Sequence, residues 1–182
     1  AKSVGIHVFL STVVHHNGMK DMRKMVEFAR KKEVGVVFSL ACISGSWDEE
    51  EDVLLTSDEW SEVQAYMREN RHIRSDWTIN FSTKVECPGG REKCNISPYG
   101  DIMGCGMNFV SFGNVRQEPL AQIMKRMGQF PYFKDPSPDC LIGAHPEYID
   151  RYIRPLAGKQ VPVQVDKHPT NPIPFSQLDE NN

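Results

Sequence analysis

Two apolar runs near the start of the chain set the first expectation. Residues 5–14 (GIHVFLSTVV) and 34–43 (VGVVFSLACI) are rich in β-branched and aromatic residues and short, which predicts two buried strands. Between them Met22, Met25, Val26 and Ala29 recur at helical spacing. A helix is therefore predicted from a cap at Asn17 to about Lys32, with Gly35 as its stop signal. Strand, amphipathic helix, strand makes a βαβ unit. Neither strand alternates with polar residues, which predicts a parallel sheet covered on its faces. Thr56 and Glu59 have the spacing of a capping box and predict a second helix to about Arg71, with Trp60, Val63, Tyr66 and Met67 inward. Residues 77–82 (WTINFS) fit either an extended stretch or a helix end.

The pattern changes at Cys87. From there to 118 the chain is rich in glycine (CPGG, PYGD, MGCGM, FGN). Asn95–Ser97 and Ile102–Met103, joined by Pro98–Asp101, predict a small hairpin turning at Tyr99–Gly100. Pro119 opens a predicted helix through Met127 and Pro146 another through Arg154, since proline suits a first helical turn. Five of the twelve prolines lie after 154 and no apolar period remains, which predicts an extended or loose tail.

Composition narrows the class. The 182 residues are 40% hydrophobic and 25% charged with a net charge of -3, ordinary for a globular chain. A collagen-like, wholly disordered or strongly basic chain is excluded. No basic patch with interleaved aromatics is present, so nucleic acid is not an expected partner. No apolar window approaches the length of a membrane span, and no signal peptide is visible. The first residue is Ala1 rather than methionine, so a processed chain or a piece of something longer is expected.

The five cysteines carry the candidate chemistry. Cys42 stands alone in the second apolar run and reads as a small buried hydrophobe. Cys87, Cys94, Cys105 and Cys140 follow the spacing C-x6-C-x10-C-x34-C. Four thiolates are the ligand set of an all-cysteine metal site or an iron–sulfur cluster. The hairpin brings the flanks of Cys94 and Cys105 together, and Gly89, Gly90, Gly104 and Gly106 let backbone amides approach the sulfurs. A structural zinc site favours tight C-x2-C knuckles, which this chain lacks. Zinc, free buried thiols and disulfides stay open as alternatives to an iron–sulfur cluster. Met103, Met107, Tyr99, Phe109 and Phe112 are expected to pack around the cysteines and restrict water. His145, five residues past Cys140, reads as a polar helix start or a ligand.

Gly100-x4-Cys105, then FGNV at 112–115 and a Leu/Ile helix, resembles the twitch or SPASM region appended to radical S-adenosylmethionine (SAM) enzymes. The resemblance implies Cys87, Cys94, Cys105 and Cys140 as ligands of one auxiliary 4Fe–4S cluster. The later cysteine run that would hold a second auxiliary cluster is absent: its C-x2-C would need cysteine where Gly143 stands. The first half resembles the fifth and sixth strands of the family's partial barrel. The implied fold is α/β, the last two βα units of a partial (β/α)6 barrel followed by a small β-hairpin/helix iron–sulfur domain. The implied domains are 1–84, 85–156 and a tail at 157–182.

By the same resemblance, Ser11 and Thr12 are the candidates for the SAM side of the first strand, one of the two facing outward because strand side chains alternate. His15, His16 and the acidic run Asp48–Asp52 lie where barrel active sites open, although solvated loops are the plainer reading of both. The C-x3-C-x2-C loop for the SAM-binding cluster is not in the sequence, and six βα units need roughly 180 residues where two are visible. The expectation is a C-terminal part that is inactive alone. SAM and a second 4Fe–4S cluster would come only with an N-terminal part. A substrate of unknown class (peptide, lipid or small molecule) and a reducing donor such as flavodoxin or ferredoxin are implied as partners, in the reducing cytoplasm. The alternatives are a SAM-independent iron–sulfur electron-transfer or scaffold protein and a zinc-stabilised interaction module.

Overall fold

The computed structural model of the chain describes residues 1–47, 51–76 and 86–180. It divides into two units: residues 1–42 with 50–85, and residues 43–49 with 86–182.

In the first unit, β1 (Phe9–Val14), α1 (Met19–Lys32), β2 (Gly35–Leu40), α2 (Ser57–Glu69) and β3 (Ile73–Ser75) alternate strand and helix. The strands form one parallel sheet in the order β1-β2-β3, with Phe9 opposite Gly35 and Val36 opposite Ile73. The two βα units expected from the periodicity are present, followed by a third strand whose three residues carry no pattern to predict it. The described residues form an open sheet, not a closed barrel.

Val36, Val37 and Phe38 are buried in succession, so β2 is covered on both faces. Strand β1 differs from the expectation of full cover. Phe9, Ser11 and Val13 are exposed, while Leu10, Thr12 and Val14 turn inward. The outer face of β1 is left partly uncovered among the described residues, although the Phe9 ring rests over Gly35 of β2. Helix α1 buries Met19, Met22 and Ala29. Its N-cap is Gly18 rather than the expected Asn17, whose side chain instead donates to Asp52 at 3.2 Å. The helix stops at Glu33 in the left-handed region, φ 52°, before Gly35 opens β2. The capping box at α2 is complete: Thr56 Oγ1 accepts from the Glu59 amide, and Glu59 accepts from the Thr56 amide. Residues 77–82 lie outside the described residues.

The second unit is built differently. Its sheet has the order β4-β5-β6-β7, from β4 (Asn95–Ile96), β5 (Asp101–Met103), β6 (Val110–Asn114) and β7 (Val163–Gln164). The expected hairpin is β4–β5, antiparallel with Asn95 opposite Met103. Gly100 sits at φ +98°, a conformation glycine takes without steric cost. Helix α3 (Leu120–Gly128) follows N-cap Pro119, and short helices α4 (Pro131–Lys134) and α5 (Pro146–Tyr148) each carry proline in their first turn. Rings of Phe112, Phe130, Phe133, Tyr148 and Tyr152 form the core, with Phe130 between 5.1 and 6.3 Å from each of the others.

The prolines predict a loose tail, and the structure corrects this. Residues Val163–Gln164 add a parallel strand to β6, Val165 and Leu178 are buried, and α6 (Phe175–Asp179) follows. Arg126, 3% exposed, pairs with Glu118 at 2.7 Å and with Asp179 at 2.9 Å, and lies over the Phe175 ring. The tail is held by ion pairing and apolar burial together, features of tertiary contact rather than of local period. No helix among the described residues is long and apolar enough to cross a membrane.

Candidate metal centre

All four late cysteines belong to the second unit, and three backbone links draw their segments together. The Cys87 amide donates to the Ser137 carbonyl at 2.8 Å, tying the first cysteine to the loop that carries Cys140. The Gly90 amide donates to the Gly104 carbonyl at 3.2 Å, tying the Cys87–Cys94 loop to the residue before Cys105. The hairpin register, Asn95 with Met103, then sets the flanks of Cys94 and Cys105 side by side.

Glycine makes this closeness possible. A Cβ on Gly89 would stand 3.3 Å from the Gly104 carbonyl oxygen and 3.5 Å from the Cys87 sulfur. A Cβ on Gly90 or Gly104 would strike the Phe133 ring, at 2.3 and 2.5 Å. One buried ring therefore packs on both loops where their glycines leave room. Of the residues expected to surround the cysteines, Met103 and Phe112 are buried, whereas Tyr99 (75% exposed) and Met107 point to solvent. The hairpin tip and the turn after Cys105 are surface features, so an apolar side chain there finds nothing to pack on.

Burial pushes the Cys105 thiol up, against the easing effect of the Met107 and Asn108 amides; nearby Cys87 adds to the rise and Lys93 opposes it. Cys140 is driven further up by full burial and by the nearness of Cys87 and Cys105, with the Ile142 and Gly143 amides opposing. Three of the four thiols thus sense one another, and Cys105 and Cys140 each meet the amides two and three residues ahead. Cys94 is placed by the hairpin register. All four are free thiols.

Among the described residues, no three Cys, His, Asp or Glu side chains are drawn onto one point. The donor set fits an iron–sulfur cluster: four soft thiols, amides aimed at sulfur, and glycines where a Cβ would crowd the backbone.

The remaining candidates have other tasks. His145 is the N-cap of α5, its Nδ1 accepting from the Tyr148 amide at 3.2 Å, so it reads as the polar helix start. Ser11 and Thr12 lie on β1 of the first unit; Ser11 is exposed and Thr12 half-buried. His16 Nδ1 meets both Glu59 oxygens at 2.9 Å. The hydrogen bond and charge of Glu59 raise the His16 pKa. Of the acidic run, residues 48–50 lie outside the described residues. Cys42 is buried at the end of the second apolar run. Sequence reasoning missed Asn108 and Tyr148, a buried hydrogen-bonded pair beside Cys105, since a lone Asn and a helix Tyr give no local signal.

No curated protein and no solved structure matches the chain. Residues 87–141 match the family model of SPASM, an iron–sulfur cluster-binding domain. The matched segment begins on Cys87, ends one residue past Cys140 and contains the whole hairpin.

Proposed function

We propose that the second unit holds one 4Fe–4S cluster through Cys87, Cys94, Cys105 and Cys140, and that the chain serves as the C-terminal, auxiliary-cluster part of a radical SAM enzyme. The observation that carries the reading is the coincidence of the SPASM match with the four-thiol site: every proposed ligand falls within 87–141.

When bound, the cluster supplies one-electron transfer close to a substrate. The chain's own residues give it a particular setting. Four cysteines leave no iron open for substrate, which favours electron transfer over substrate anchoring. Burial raises both Cys105 and Cys140, and the amides beside them oppose that rise only in part, favouring the thiolate forms that a cluster requires. Phe133, 2% exposed, covers the glycine contacts and limits water there. In the first unit, the β1-α1-β2-α2-β3 order fits the closing units of a partial barrel, with one of Ser11 and Thr12, which alternate across β1, toward SAM. The substrate and the reducing donor, such as a flavodoxin or ferredoxin, belong to the same proposal.

Anaerobic reconstitution with iron and sulfide analysis tests the cluster. About four irons and four sulfides per chain with brown colour are expected, and one colourless zinc overturns the reading. Titration with SAM tests the wider assignment: this chain alone is expected neither to bind nor to cleave it, and SAM cleavage by the chain alone would overturn the assignment as an auxiliary part.

A further inference from the structure

We propose that Asn108 and Tyr148 form a positioning pair that holds the Cys105 turn closed, and that the pair thereby sets the reduction potential of the cluster; this rests on the cluster reading above. Both residues are buried, Asn108 at 2% exposure and Tyr148 at 0%. Polar groups so placed need partners, because burial without them is unfavourable. Each is the other's partner. Asn108 Nδ2 donates to the Tyr148 hydroxyl at 2.8 Å, and that hydroxyl lies 3.1 Å from Asn108 Oδ1, to which it donates. The Val110 amide also donates to Oδ1, at 3.3 Å.

The backbone of the same Asn108 closes the cysteine turn. Its amide donates to the Cys105 carbonyl at 3.2 Å and, with the Met107 amide, lies against the Cys105 sulfur. The hydroxyl that grips Asn108 comes from the other side of the site. Tyr148 is in α5, whose N-cap His145 stands five residues after Cys140. Its ring is fixed from behind, stacked on Tyr152 at 5.3 Å and 25° and edge-on to Tyr132 at 5.0 Å. Packing alone accounts for the ring and not for the hydroxyl. The hydroxyl's visible task is Asn108, and the visible consequence of holding Asn108 is a fixed pair of amides at Cys105.

Amides donating to cluster sulfur stabilise the more negative, reduced state and raise the potential. Releasing Asn108 therefore lowers it. The test is redox titration of the reconstituted protein and its Tyr148→Phe, Asn108→Ala and double variants. Each single variant is expected to keep full iron and to shift the reduction equilibrium about tenfold toward the oxidised form, about 59 mV for one electron. The double variant should shift no further, since Tyr148 acts through Asn108. The metal-free protein gives an independent arm: alkylation of Cys105, read on the alkaline plateau where access alone limits it and mapped by mass spectrometry, should quicken several-fold in Tyr148→Phe while that of Cys140 stays unchanged.

Unchanged potentials, or shifts that add in the double variant, overturn the effect on the cluster. Unchanged alkylation of Cys105 overturns the closure of the turn. If the unaltered protein takes up no iron, the cluster reading itself fails, and the alkylation arm still decides whether the pair holds the turn. Tyr148→Phe retains the buried ring, so the proposal stays open to refutation even where Asn108→Ala does not fold.

Discussion

The two units reach order by different means. In the first, long regular elements carry the apolar positions, and a strand or helix period says which side chains are inside. In the second, the sheet strands have two to five residues, and order comes from aromatic packing, glycine contacts and side-chain bonds to the backbone. The lesson is that short strands cannot by themselves hold four cysteines in place. Distant segments must be tied to one another, as the Cys87 amide is to Ser137 and Asn108 is to Tyr148. Such ties are specific, so the second unit should be the more sensitive to single substitutions.

The contrast breaks most visibly at its cysteines. Cys140→Ala is expected to abolish a stable four-iron centre, and Cys42→Ala to leave iron content unchanged; metal analysis after reconstitution reads both. Retention of full iron and the same spectrum by Cys140→Ala would remove that residue from the ligand set.

Ion pairs come next. Arg126 is 3% exposed and serves two carboxylates, of which Asp179 is 37% exposed. Arg126→Met should destabilise the second unit by about 2–4 kcal/mol, below the range for a fully buried pair because solvent screens Asp179. The corresponding change in the first unit, Arg23→Met, breaks the exposed pair with Glu62 and should leave stability unchanged. Native-state hydrogen exchange reads the two units separately.

Two glycines under aromatic rings sharpen the comparison further. Gly104→Ala drives a methyl into the enclosed Phe133 ring and should cost about 1–3 kcal/mol by overpacking. Gly35→Ala meets Phe9 as closely, at 2.2 Å, but Phe9 is 51% exposed at the sheet edge and can swing aside. Its cost should be smaller, and equal losses in denaturant unfolding would refute the difference between an enclosed and an open ring.

The smallest effects concern two histidines of opposite sense. The His16 pKa is raised by its hydrogen bond to Glu59. Glu59, despite its burial, is lowered by His16 and Thr56. That contact stabilises fully only between about 4.5 and 6.5, fading as pH falls through the Glu59 value or rises through the His16 value. His168 is 2% exposed and lowered by burial, with Nε2 toward the Tyr152 carbonyl and Nδ1 accepting from the Asn171 amide. It contributes fully above 6.5, and that contribution is lost as pH falls toward its depressed folded value. Ring resonances should titrate above 6.5 for His16 and below it for His168; the reverse order would reject both environments.

Legibility divides along the same line as the units. β1, α1, β2 and the α2 capping box were readable because each is a local pattern, a period or a fixed spacing. The β4–β5 hairpin was readable from Pro98–Tyr99–Gly100, whose turn chemistry is equally local. β3 and β7 were not: three and two residues long, they are strands only because β2 and β6 lie beside them. The expected shell around the cysteines was half right for the same reason. Met103 is in a strand facing the core, whereas Met107 and Tyr99 stand on turns, and nothing in their type tells which side a turn presents.

By itself, then, the sequence determined which residues form the central strand–helix–strand run and that Cys94 and Cys105 flank a hairpin, since hydrophobic period and turn geometry act over a few residues. Only the tertiary structure decided that the proline-rich end is bound by Arg126, that Phe133 rests on two glycines, and that Tyr148 reaches back to Asn108. Those contacts join residues as many as 53 positions apart. No local preference encodes such a pairing; it becomes favourable only when the burial and hydrogen bonding of the whole core outweigh the chain entropy lost in closing the loop.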